Sequence, residues 1–159
     1  MDKKQSTNPV STYNITITGT KCPEALTIHG RLPGLNEYTD ACRTKPRAGA
    51  QMKRQAQETV MWHILSQIRG RHFEKPVFLL FTFYEQDRRR DHDNVSSFAR
   101  KVIQDALVKC GTLKDDGWDY VTGYLDKFEV DKQSPRIVVE FIEQEVETCK
   151  SQRAAKSKK

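Results

Sequence analysis

The chain lacks what a membrane protein, a secreted protein or a disulfide scaffold would need. Its four cysteines, Cys22, Cys42, Cys110 and Cys149, show no C-x-x-C or Cys/His spacing, so reduced thiols in a cytoplasmic setting are expected. No apolar signal-peptide core follows the N-terminus, and no window approaches the roughly 18 consecutive apolar residues of a membrane span. A soluble protein without membrane contact is expected. Apolar residues make up only 36% of the 159, and the mean hydropathy is -0.73, which suits one compact domain with polar tails. No internal repeat is present.

What the chain has in quantity is charge. The formal net charge of +6 and a pI near 9.2 invite a nucleic-acid reading, but the positive excess is concentrated in the tails. Lys150, Arg153, Lys156, Lys158 and Lys159 face only Glu147 near the C-terminus, and Lys3 and Lys4 face Asp2 near the N-terminus. The segment between is close to neutral, so net charge alone proves little.

Residues 1–20 read as a polar N-terminal segment, within which Tyr13 to Ile17 alternates without earning an assignment. A domain over 21–146 and a basic tail over 147–159 complete the chain. Ala25 to Leu32 reads as the first strand, and Pro33-Gly34-Leu35-Asn36 as its exit loop. From Lys45 to Arg69, Met52, Ala56, Val60, Ile64 and Ile68 recur every fourth residue, predicting a long amphipathic helix stopped by Gly70. Val77 to Tyr84 is a continuous β-branched and aromatic run, the pattern of a central strand covered on both faces. Val95, Phe98, Ala99, Val102, Ile103, Ala106 and Leu107 then follow helical spacing without a break, with Gly111 as the stop. Val121 to Val130 and Arg136 to Phe141 read as strands joined by a turn over 131–135. The expectation is a single α+β domain of order β-α-β-α-β-β, with a mixed four-stranded sheet and two helices.

The chemistry gathers around Asp91-His92-Asp93-Asn94 and, beyond the second helix, Asp115-Asp116. If the first segment is extended, Asp91 and Asp93 share a face and His92 points away. A hard divalent cation takes oxygen ligands, and Asp116, with Asp115 as an alternative or supporting ligand, would complete an open site. Arg88, Arg89 and Arg90 lead into the acids, and guanidinium forks suit phosphate. Asn94, Lys45 and Arg47 join them as candidate DNA contacts. Helix capping is the plain alternative for Asp91 to Asn94, and a turn is the plain alternative for Asp115-Asp116. Trp118 and Tyr120 fit either a core or a base-stacking role.

These residues, D-x-D-N at 91–94, Asp105-Ala106-Leu107, Gly111 and Asp115-Asp116, resemble the RusA-type Holliday junction resolvases of bacteria and their phages. The resemblance implies a homodimeric endonuclease of DNA recombination and repair that binds four-way junctions and needs Mg²⁺ or Mn²⁺. It implies Asp91, Asp93 and Asp116 as the metal-binding acids and a lysine on the following helix. Counting forward from Asn94 reaches Ser97, whereas counting back from Asp105-Ala106-Leu107 reaches Lys101, one helical turn further on. Lys101 is the candidate, about 10 Å along the helix axis from Asn94. The dimer contact would come from the exposed part of the long helix or an edge strand. A nuclease for flaps or forks, or a non-catalytic DNA-binding protein, are the competing functions.

If Asp93 serves catalysis, Asp93→Asn abolishes junction cleavage while binding persists or strengthens, because one negative charge facing phosphate is removed. Gel-shift and cleavage assays on one labelled junction read both, and loss of binding counts against the assignment. Arg90, by the same reading, is expected to add to salt-dependent phosphate binding.

Overall fold

A computed structural model describes residues 17–45 and 47–144. They form a single α+β domain: β1 Thr20–His29, α1 Leu35–Thr44, α2 Ala48–Gln67, β2 Val77–Glu85, α3 His92–Lys109, β3 Val121–Val130 and β4 Arg136–Glu143. The alternating Tyr13 to Thr16 and the basic tail at 147–159 lie outside the described residues. Among the described residues no helix is long and apolar enough to cross a membrane.

The order is β-α-α-β-α-β-β, with three helices where two were expected. The segment expected as an exit loop, Pro33-Gly34-Leu35-Asn36, is the start of α1. Gly34 is the N-cap, its carbonyl accepts from Tyr38 N–H at 3.0 Å, and the Glu37 carboxylate reaches back to Gly34 N–H at 3.4 Å. No residue of α1 is fully buried, so no apolar stripe marks it in the sequence. α1 is held instead by Tyr38 stacking on Phe98 at 4.6 Å and by Asn94 Oδ1, which accepts from Asn36 N–H at 2.9 Å. The long helix begins at Ala48, not Lys45, and its apolar row buries Ala56, Val60, Ile64 and Ile68 as expected, while Met52 is only half-buried.

The sheet order is β1-β4-β2-β3, with β2 parallel to β3 and antiparallel to β4. β2 is central, but it is not covered on both faces. Val77, Leu79, Phe81 and Phe83 are buried towards the helices, whereas Phe78, Leu80, Thr82 and Tyr84 are only half-buried. The unbroken apolar run Val77 to Phe81 therefore reflects a strand whose second face is merely shielded. Gln67 at the end of α2 ties down the free side of edge strand β1, accepting from Thr27 N–H at 2.8 Å and donating to Thr27 C=O at 2.6 Å. α3 buries every residue its periodicity singled out, and Gly111, at φ +75°, turns the chain so that Thr112 N–H meets Leu107 C=O at 3.0 Å. The loop that follows climbs back along α3 before β3 begins.

Gly34 is where α1 and α3 meet. Its φ of −83° suits any residue, but an added Cβ would lie 2.5 Å from Asn94 Oδ1 and 3.0 Å from the Asn94 carbonyl oxygen. Gly34→Ala is expected to cost about 1–3 kcal/mol through this overpacking. Urea unfolding reads it, and an unchanged midpoint would show that Asn94 can move aside freely.

Candidate functional site

The polar side of α3 faces a crease shared with α2 and the climbing loop. Lys101 Nζ donates to Asp105 Oδ1 at 2.8 Å, one helical turn away, and to Asp116 Oδ2 at 2.7 Å on the loop. Asp105 is the hub, since its other oxygen, Oδ2, receives Lys53 at 2.8 Å and Gln57 Nε2 at 3.0 Å. Lys109 Nζ then donates to Gln57 Oε1 at 2.6 Å. Buried Gln57 thus has both ends of its amide satisfied, which removes the penalty of burying it.

The electrostatics follow from these contacts. The hydrogen bonds from Lys101 to Asp105 and then to Asp116 raise its pKa well above the ordinary lysine value, outweighing partial burial. Lys101 is therefore a fixed cation and no general base. For Asp105, burial pushes the pKa up, but hydrogen bonds from Lys101 and Lys53 outweigh it and the net shift is downward. Asp105 stays a carboxylate.

The expected DNA and metal residues divide sharply. Asp91 and Asp93 do not lie together on an extended segment, because α3 begins at His92. Asp91 is the N-cap, its Oδ1 accepting from Asn94 N–H at 2.7 Å, while Asp93 is exposed in the first turn, where its charge favours the helix dipole. Asn94 pins α1 through its Oδ1. Arg90 is also occupied: it forms a paired interaction with Glu85, with N–O distances down to 2.6 Å, and donates to Leu32 C=O at 3.3 Å. Its side chain is only 12% exposed, so the expected role in phosphate binding is corrected to one in packing. Arg88 and Arg89 are exposed, as are Lys45 and Arg47 at the corner between α1 and α2. Asp115 Oδ1 accepts from Asp116 N–H at 2.9 Å, the turn geometry that was its plain alternative. His92 stacks on Phe128 at 4.0 Å, beside a cavity of about 500 Å³ lined also by Glu85, Arg88 and Asp91.

An all-carboxylate donor set suits a hard cation, but the arrangement does not. Asp91 lies beyond the C-terminal end of β2, whereas Asp116 meets Lys101, about 12 Å further along α3 than Asp93 at 1.5 Å per residue. Among the described residues no three His, Cys, Asp or Glu side chains are close enough to hold a metal. The set Asp91, Asp93, Asp115 and Asp116 is therefore not gathered around one point, and Asp116 is held by a lysine.

Sequence reasoning passed over Asp105, Lys53, Gln57 and Lys109 as site residues. The available signal was spacing: Lys101 and Asp105 stand at i, i+4, and so do Lys53 and Gln57. No protein-family model matches the chain, and no curated protein matches it.

The lowered pKa of Asp105 sets a pH dependence. A depressed carboxyl contributes stability above its ordinary value of 3.8 and loses it as the pH falls through the folded value. Asp105→Asn is expected to be less stable than wild type at pH 7, with the gap closing below about pH 4. Urea unfolding at pH 7 and pH 3 reads this, and a gap independent of pH would remove the charge from the explanation.

Proposed function

We propose that the protein is an endonuclease of branched DNA, with the four-way junction as its preferred substrate, acting in recombination and repair like the RusA-type resolvases its sequence resembles. The observation that carries this reading is the contact between Lys101 and Asp116, fifteen residues apart and 2.7 Å from nitrogen to oxygen. The family pattern asks for a lysine and a late aspartate on one side of this helix. Lys101 supplies the lysine and Ser97 does not.

The reaction adds water across a phosphodiester, forming a new O–P bond and releasing the 3′ oxygen. Lys101, charged at neutral pH, neutralises phosphate charge as it builds. Arg88 and Arg89, exposed ahead of α3, hold the flanking backbone, with Lys45 and Arg47 as further phosphate contacts. Dependence on Mg²⁺ or Mn²⁺ comes with the resemblance; because Asp116 is engaged by Lys101 and stands apart from Asp91 and Asp93, no step is assigned through an ion. Symmetric incision of a junction calls for a two-fold homodimer with one site in each subunit.

One observation favours a second reading. Separated carboxylates suit a protein that binds branched DNA without cutting it. Cleavage of a labelled four-way junction, a flap, a fork and plain duplex, each with Mg²⁺, Mn²⁺ or EDTA, separates the possibilities. Paired symmetric nicks in the junction, present only with metal and reduced at least about 100-fold in Lys101→Ala, are expected. Nicks confined to flaps or forks would move the substrate, and tight junction binding without nicks under every condition would establish the non-catalytic reading.

A further inference from the structure

Trp118 is 94% exposed, the most open of the large apolar side chains among the described residues. Leaving an indole in water forgoes the stabilisation its burial would bring. The backbone that carries it is fixed. Asp116 N–H is held by Asp115 Oδ1, and Tyr120 and Val121 N–H groups both reach Gly117 C=O, at 3.0 and 2.9 Å. Two residues before Trp118 stands Asp116, in contact with Lys101.

The indole forms one wall of a cavity of about 610 Å³, with Asp116, Gln104, Thr122 and Tyr124 among the others. That volume is within the range of sites for small ligands. Cations border it on the side of α3: Arg100 lies 4.3 Å over the Tyr124 ring, and Lys101 caps Asp116. Lys114 lies 5.6 Å over the Tyr120 ring. Asp115 and Asp119, which flank the indole in sequence, disfavour a phosphate at the ring itself. Arg100 is already paired with Asp126, so charge directs a backbone towards Lys101 and leaves a neutral, flat group to meet the indole. A nucleotide has that division of charge, and single-stranded DNA is held by alternating aromatic and basic side chains in this way.

We propose that Trp118 is a base-stacking residue, which takes an unpaired nucleobase at a DNA branch point while the adjoining phosphate lies against Lys101. The proposal rests on the reading that the ligand is branched DNA, and it adds a determinant of branch recognition that the acidic residues do not supply. Stacking needs an open base, which a junction or flap offers and an intact duplex does not.

The test uses the full-length protein carrying Trp62→Phe, which leaves Trp118 as its sole tryptophan. In EDTA, it is titrated with a fixed four-way junction bearing 2-aminopurine at the branch point, and with duplex bearing the same base in an arm. Quenching of Trp118 emission together with a change in 2-aminopurine emission is expected for the junction alone. Trp118→Ala should weaken junction binding about 10-fold, Trp118→Phe should retain most of it, and duplex binding should be unchanged in both. Junction binding that is equally tight in Trp118→Ala, with unquenched emission in the parent, overturns the stacking role and leaves the junction reading intact. Failure of any DNA to bind overturns both. A fall in molecular mass on Trp118→Ala, without any fluorescence response to junction, overturns the proposal in favour of a second copy of the chain covering the indole.

Discussion

α3 has to fill the core on one side and hold a row of charge on the other, and the site depends on how it meets both demands. Its apolar stripe, from Val95 to Leu107, is buried against the sheet and α2. Its polar side would leave Asp105 stranded in the crease beside α2 were the carboxylate not met by Lys53, Gln57 and Lys101 at once. A charge drawn partly out of water is stable when it is paired and hydrogen-bonded. That requirement aims Lys101 at Asp105, and the same ammonium then catches Asp116 as the loop climbs back. The late acidic cluster is thus tied to the same polar contact that joins α2 and α3.

The same logic distinguishes charges that are spent from charges that are free. Arg90 closes on Glu85 and Leu32 C=O, and Arg100 pairs with Asp126 beneath Tyr124. Both belong to the packing. Arg88, Lys45 and Arg47 remain exposed, as does Arg89 although its guanidinium lies 3.5 Å from Asp87, and they ring the start of α3 and the corner between α1 and α2. An interaction with phosphate would be built from these, and its salt dependence would reflect fewer cations than the composition suggests.

Much of the fold was legible because burial writes itself into sequence as period. α3 was identified residue by residue, and β2, β3 and β4 began where alternation or apolar runs began. α1 was not legible because none of its residues is fully buried, and Pro33-Gly34 read as loop punctuation although the same pair suits a helix start. Asp91 and Asp93 were misplaced by a single assumption, that the chain stays extended to Asp93; Asp91 caps the helix at once and puts Asp93 in its first turn. The competition between Ser97 and Lys101 was beyond counting, because it turns on how far the loop after Gly111 climbs. Asp105 escaped notice for a related reason, since the lysine and glutamine that make it a hub come from α2, nearly fifty residues away.

The central claim is that Lys101 holds Asp116 apart from Asp91 and Asp93 in the free protein. Titrating Mg²⁺ into ¹⁵N-labelled protein without DNA tests it most directly, through the shifts of the backbone amides. Residues 91–94 and 115–117 are expected not to shift together along one binding curve. Saturation of both segments by one equivalent of Mg²⁺ in the wild-type protein would contradict it, because the acids would then share one ion.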